Sequence, residues 1–266
     1  MIPEVNLILV VAFLALVVGV LSGLLGIGGG VIMAPMLLLL PPLAGLGRLG
    51  VAVVTGITAV QSFVAAGLSA WAHAGRGHVD RKLVLGLGPP MWVAALVGSW
   101  LGAGMPPRLL EGVLAGLMSL AALLLVRPPQ VDRGSAGEES VSWTGSPLLV
   151  GLLGVGIGTL SGVIGQGGGF LYLPAMVVLL RVPTRLAVAT AAFVGIPSAA
   201  LIMMGRVAGG HMPWALALAT VPSLAVGTRV GAAFSYCLDT ARLKRILAAV
   251  VALGAVELWR RLWTMQ

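Results

Sequence analysis

The sequence predicts an all-α, polytopic integral membrane protein in which about ten apolar helical segments form two inverted repeats. Composition is the first of three reasons: of 266 residues, 59% are hydrophobic and 9% charged, and the mean hydropathy is +1.07, far from an ordinary soluble domain. The second is a set of runs without a single charge, Val5–Leu25, Val51–Trp71 and Leu186–Met204, which reach roughly the 20 residues that a spanning helix needs. A duplicated glycine motif is the third. Ser22-Gly23-Leu24-Leu25-Gly26-Ile27-Gly28-Gly29-Gly30 precedes Pro35, and Ser161-Gly162-Val163-Ile164-Gly165-Gln166-Gly167-Gly168-Gly169 precedes Pro174. Both copies join two apolar runs, so the reading is a membrane-embedded helix break made twice.

Taken in order, the apolar segments are Val5–Leu25, Val31–Leu40, Val51–Trp71, Leu83–Met105 and Leu110–Val126, then Pro147–Ile164, Phe170–Leu180, Leu186–Met204, Trp214–Leu238 and Leu243–Trp259. The first has only Glu4 before it and no polar cleavage region after it, so it is expected to remain as a helix rather than to leave as a signal peptide. The second and seventh are short. Ten or eleven residues at about 1.5 Å each cover about half of a ~30 Å hydrocarbon core, which makes them half-helices or re-entrant segments. Between the two sets of five, Arg127 to Thr144 carries Pro128, Pro129, Asp132, Arg133, Gly134, Ser135, Glu138 and Glu139, the marks of a solvated linker. The organisation expected is therefore a first repeat over 1–127, a polar linker over 128–145 and a second repeat over 146–266, together one transport domain.

The repeat extends beyond the glycines. Ala52-Val53-Val54-Thr55 matches Ala187-Val188-Ala189-Thr190, and Gly98-x-x-x-Gly102-Ala103 matches Gly227-x-x-x-Gly231-Ala232. The last pair reads first as close helix packing in lipid. Five segments is an odd number, so the second half would enter the membrane from the opposite side.

Basic residues set the orientation. With the N-terminus outside, the cytoplasmic loops hold Arg76, Arg81, Lys82, Arg127, Arg133, Arg181, Arg185, Arg242, Lys244 and Arg245, and the outer ones Arg48, Arg108, Arg206, Arg260 and Arg261. This imbalance places both termini outside. The same distribution accounts for the net charge of +8 through anionic headgroups, and argues against a nucleic-acid partner. A lone cysteine, Cys237, leaves no internal disulfide and no thiolate metal cluster.

Consecutive glycines can turn several backbone N–H groups toward one point, where the helix that resumes presents its partly positive end. Such a place attracts anions. The candidate substrate-binding groups are Gly28, Gly29 and Gly30 in the first copy and Gln166, Gly167, Gly168 and Gly169 in the second. Close helix crossing is the competing reading of the glycines, but it leaves the short segment after each break unexplained. Thr55 and Thr190 join the candidates because they occupy equivalent places in the two halves, and Gln61 because an amide is hard to hide in an apolar segment. Arg229 lies in the middle of an apolar segment, where a charge costs at least roughly 2.5 kcal/mol; it is read either as a counter-charge for an anionic substrate or as a residue snorkelling to the interface.

Other classes fare worse. No paired aspartates lie at membrane depth and no Ser–His pair is visible there, so no catalytic residue is expected and the chain is read as a non-enzyme. His73, His78 and His211 are scattered, and the eleven methionines form no cluster, so neither a metal site nor a cofactor is expected. A passive anion channel of the same architecture and a non-transporting scaffold remain the alternatives to a transporter. Glycine-rich helix faces would suit a homodimer.

The paired Gly-x-Gly-Gly-Gly breaks with their following prolines, the Ala-x-x-Thr after each and the Gly-x-x-x-Gly-Ala near the end of each half resemble the TauE/SafE family of sulfite and organosulfonate exporters. Where the commonest family pattern has Ser after that Thr, this chain has Gly56 and Ala191. The resemblance implies a multi-pass permease of the bacterial inner membrane that exports small sulfur-containing anions such as sulfite or sulfoacetate, its partners being the anion and the lipid bilayer.

Overall fold

The computed structural model describes residues 5–25, 30–73, 81–126, 146–167, 171–172, 175–176, 180, 182, 184–210, 212–234 and 240–264. Among these the structure is helical, with nine helices: α1 Val5–Leu25, α2 Gly30–Leu43, α3 Val51–His73, α4 Arg81–Gly104, α5 Pro107–Val126, α6 Pro147–Val163, α7 Thr184–Ala208, α8 Trp214–Phe234 and α9 Thr240–Thr264. The protein is an all-α polytopic membrane protein. By length and composition Val5–Gly23, Val51–Leu68 and Arg81–Gly104 are each sufficient to cross a membrane. Of the seventh expected segment, Phe170–Leu180, only Leu171, Tyr172, Ala175, Met176 and Leu180 are described.

The short second segment is present as expected. α2 has 14 residues and contains Pro35, Pro41 and Pro42, so at about 1.5 Å per residue it spans only part of a ~30 Å core. α7 runs further than expected, through Gly205-Arg206-Val207-Ala208, which moves Arg206 from the outer loop of the charge count into a helix.

The helices pair across the two halves. α1 packs along α8, and α6 packs along α4, so the first apolar segment of each half lies against the fourth apolar segment of the other. α3 packs on α7 and α5 on α9, equivalent with equivalent. Small residues permit the crossings. A Cβ on Gly102 would meet the backbone of Val163, with its carbonyl oxygen 2.5 Å away, and one on Gly227 would run into the backbone of Leu16 and Gly19. The Gly-x-x-x-Gly pairs are thus packing surfaces, and the backbones approach because no side chain stands between them.

Two apolar clusters fill the interior. One joins α1, α2, α3, α5, α8 and α9 through residues such as Val18, Ile32, Leu37, Leu114 and Leu258. The other joins α4, α6 and α7 to Tyr172 and Met176. The outside carries Phe13, Leu85, Trp100, Leu152, Trp214 and Trp263, all exposed, which suits acyl chains and, for tryptophans near helix ends, the headgroup boundary.

Candidate functional site

α6 stops at the second glycine break for a local reason. Gly165 has φ +67, the left-handed value that favours glycine. Its N–H donates to Gly162 O at 3.0 Å, and the N–H of Gln166 donates to Ser161 O at 3.0 Å. This is a Schellman closure with glycine at C′. It satisfies two of the terminal carbonyls and leaves that of Val163 over. Arg206 supplies the missing donor, since its Nη2 donates to Val163 O.

The break delivered by this turn lies against α3. A Cβ on Gly165 would strike the carbonyl of Thr55, and Thr58 Oγ1 donates to Gly165 O at 3.3 Å as well as to Thr55 O at 3.1 Å. Thr55, Thr58 and Ser62 recur at intervals of three and four, one face of a helix, and that face is turned to the second break. Gln61 is buried on α3 as well, about 100° round the helix from Ser62.

Ser62 also reaches the first break. A Cβ on Gly30, the first residue of α2, would stand 2.8 Å from Ser62 Oγ and 3.5 Å from Gln166 Cγ, while one on Gly167 would stand 3.0 Å from Ser62 Cβ. Gly30, the last glycine of the first motif, and Gly167 of the second therefore meet in the protein interior, with Ser62 between them and Gln166 beside the N-terminus of α2. No acidic residue occupies the first turn of α2. Among the described residues of its first turn, no carboxylate offsets the positive end of that helix.

Burial makes this polar group of residues costly. Gln61 is fully buried, Gln166 is 3% exposed and Thr190 is fully buried. Both amide atoms of Gln61 and the hydroxyl of Thr190 lack a hydrogen-bond partner among the described residues. Each such group forgoes roughly 1–3 kcal/mol relative to water.

Of the residues singled out from sequence, Gly30, Gln166 and Gly167 come together, Thr55 lies on the face of α3 that meets the second break, and Gln61 is buried on the same helix. The Thr55 carbonyl packs against Gly165, and the Thr55 hydroxyl donates to Ala52 O at 3.0 Å. Thr190 is buried on α7, which packs on α3. Arg229 is exposed on α8, the position that a snorkelling arginine takes. Gly28, Gly29, Gly168, Gly169, His78, His211 and Cys237 lie outside the described residues, as does the linker over 128–145. Three participants were missed. Thr58 and Ser62 were detectable from their helical spacing to Thr55, and Arg206 from the apolar Val207-Ala208 that continues its helix to Gly209-Gly210.

The family model for "Sulfite exporter TauE/SafE" matches residues 11–258. Among curated proteins the chain is similar to the probable membrane transporter protein YunE of Bacillus subtilis, 29% identical over 263 residues, covering 94% of this chain and 96% of the relative. It is also similar to YdhB of the same organism, described in the same words, 26% identical over 254 residues with 95% and 99% covered. A probable membrane transporter protein of Xylella fastidiosa is 27% identical over 251 residues, 92% of each chain. No solved structure matches.

Proposed function

The chain belongs to the sulfite exporter TauE/SafE family of membrane transporters, and from that membership together with the meeting of the two breaks we propose that it exports small sulfur-containing oxyanions, sulfite or organosulfonates such as sulfoacetate. The observation that carries this reading is the triangle of Gly30, Ser62 and Gln166. The N-terminus of α2 offers amide hydrogens that have no partner within the helix. Ser62, Gln61 and Gln166 add side-chain donors, and apolar packing excludes water that would screen them.

A sulfite or sulfonate group presents several acceptor oxygens to such donors and gains more from them than a neutral solute does. The exchange of helices between halves supports two inverted repeats that rock about this point to alternate access. On this reading the protein sits in the bacterial inner membrane with both termini outside the cytoplasm.

The test is flux into proteoliposomes with sulfite, sulfoacetate, taurine, sulfate and simple carboxylates. Saturable uptake with counterflow of sulfite or a sulfonate is the expected result. Non-saturating flux without exchange would make the protein a channel, and no flux of any of these anions would end the anion reading.

A further inference from the structure

Arg206 is fully buried and is the largest of the fully buried side chains among the described residues. A guanidinium carries five N–H donors and keeps its charge. Among the described residues only Val163 O accepts from it, through Nη2, and Nε and Nη1 have no partner there. Nη2 has two hydrogens, one beside Nε–H and one beside Nη1. Whichever of them Val163 takes, one complete two-donor edge of the guanidinium remains.

Its position gives that edge a purpose. α6 enters the second break by its C-terminal, partly negative end, which would repel an anion at Gln166. Arg206 donates to Val163, the carbonyl that the Schellman turn leaves over, three residues before Gln166. It thereby places a positive charge at the partly negative end of that helix. A helix cap alone needs one donor and could be met by a neutral side chain, whereas a buried charge without a counter-ion is costly.

Building on the anion-transport reading, we propose that Arg206 is the cationic anchor of the substrate site, pairing its free guanidinium edge with two oxygens of a sulfite or sulfonate group. The anchor selects oxyanions that present two oxygens side by side over a spherical anion such as chloride. Serine at position 99 supports the placement. Ser99 Oγ donates to Ile202 O at 2.6 Å and would lie 2.8 Å from a Cβ on Gly205, so α4 holds the last turn of α7 against α6.

The test is titration calorimetry of the full-length protein in lipid nanodiscs with sulfite, with chloride as competitor, on the parent chain, Arg206→Gln and Arg206→Lys. Gln keeps a neutral donor for Val163, and Lys keeps charge and a donor but loses the fork. Sulfite affinity is expected to fall at least about tenfold in Arg206→Gln, the ratio that one hydrogen bond to a charged group is worth. In Arg206→Lys it falls by a smaller factor, with a reduced preference over chloride. A folded Arg206→Gln that binds within about threefold of the parent overturns the proposal. If that variant does not fold, an unchanged affinity and preference in Arg206→Lys overturns it, and loss of fold in both makes the residue a structural cap only. A parent chain that binds no sulfite or sulfonate refutes the transport reading itself, a result distinct from any of these.

Discussion

Arg261 Nη2 donates to the carbonyl of Leu38 at 2.8 Å, the oxygen that Pro42, having no N–H, cannot satisfy from one turn further along α2. The pairing ties α9 to the short helix that starts at Gly30, and so to the meeting point of the breaks. Arg261 Nε is held in turn by Glu257 Oε1 at 3.1 Å, with Glu111 buried nearby on α5 within electrostatic reach. Arg261→Met should lower stability by about 1–3 kcal/mol, because it leaves the Leu38 carbonyl buried without a donor. In a Pro42→Ala background, residue 42 can donate to Leu38 itself, so the cost of losing Arg261 should shrink. A double-mutant cycle of thermal unfolding in detergent measures the difference; strict additivity would show that the two residues do not share this carbonyl.

The helix crossings yield a contrast within one helix. A Cβ on Gly162 would meet the backbone of Ala95 and Ser99, whereas one on Gly156, also in α6, would meet nothing within 4 Å. Gly162→Ala should force α6 from α4 and lower both yield and melting temperature. Gly156→Ala should be neutral or raise stability by about 0.5–1 kcal/mol, the helix preference of alanine over glycine. Equal effects of the two substitutions in size-exclusion profiles and melting curves would contradict the close crossing.

Much of this was legible before the structure. Charge-free runs set the positions of α1, α3 and α7, since helix length in a bilayer is tied to hydrocarbon thickness. The breaks were legible because Gly165 and its neighbours repeat in both halves. What escaped was tertiary. The end of the apolar run at Met204 hid Arg206, because a charge that finds a carbonyl on another helix cannot be distinguished along the chain from one in a loop. Arg229 attracted attention for the opposite reason: it lies in the middle of an apolar run, yet faces outward. The buried polar residues of α3 were half visible, through Thr55 and Gln61, and Ser62 gains its meaning only from lying beside both Gly30 and Gly167.

The turn at Gly165 can be separated into its backbone and steric parts. Gly165 and Gly47 both have left-handed φ, +67 and +81, but a Cβ on Gly47 meets nothing within 4 Å while one on Gly165 strikes the Thr55 carbonyl. Gly47→Ala should cost about 1–2 kcal/mol from conformation alone. Gly165→Ala should cost clearly more and abolish sulfite counterflow, since the break would be pushed from α3. Comparable melting temperatures for the two variants would remove the close approach of Gly165 to Thr55 from the account.

Gln61 offers a test in which stability and function are expected to move in opposite directions. Its amide is fully buried and both polar atoms lack partners among the described residues, so Gln61→Leu, similar in size and apolar, removes a desolvation cost without opening a cavity. Stability should rise by about 1–3 kcal/mol. If the amide's role is to meet the oxygens of a bound anion, the same change must weaken sulfite binding, because the ligand then loses a donor that water no longer replaces. Thermal unfolding with and without sulfite reads both effects in one experiment: a higher melting temperature in the absence of sulfite and a smaller shift on adding it. A Gln61→Leu protein that is stabilised and still responds fully to sulfite would assign the amide to packing and leave the anion to Ser62, Gln166 and the first turn of α2.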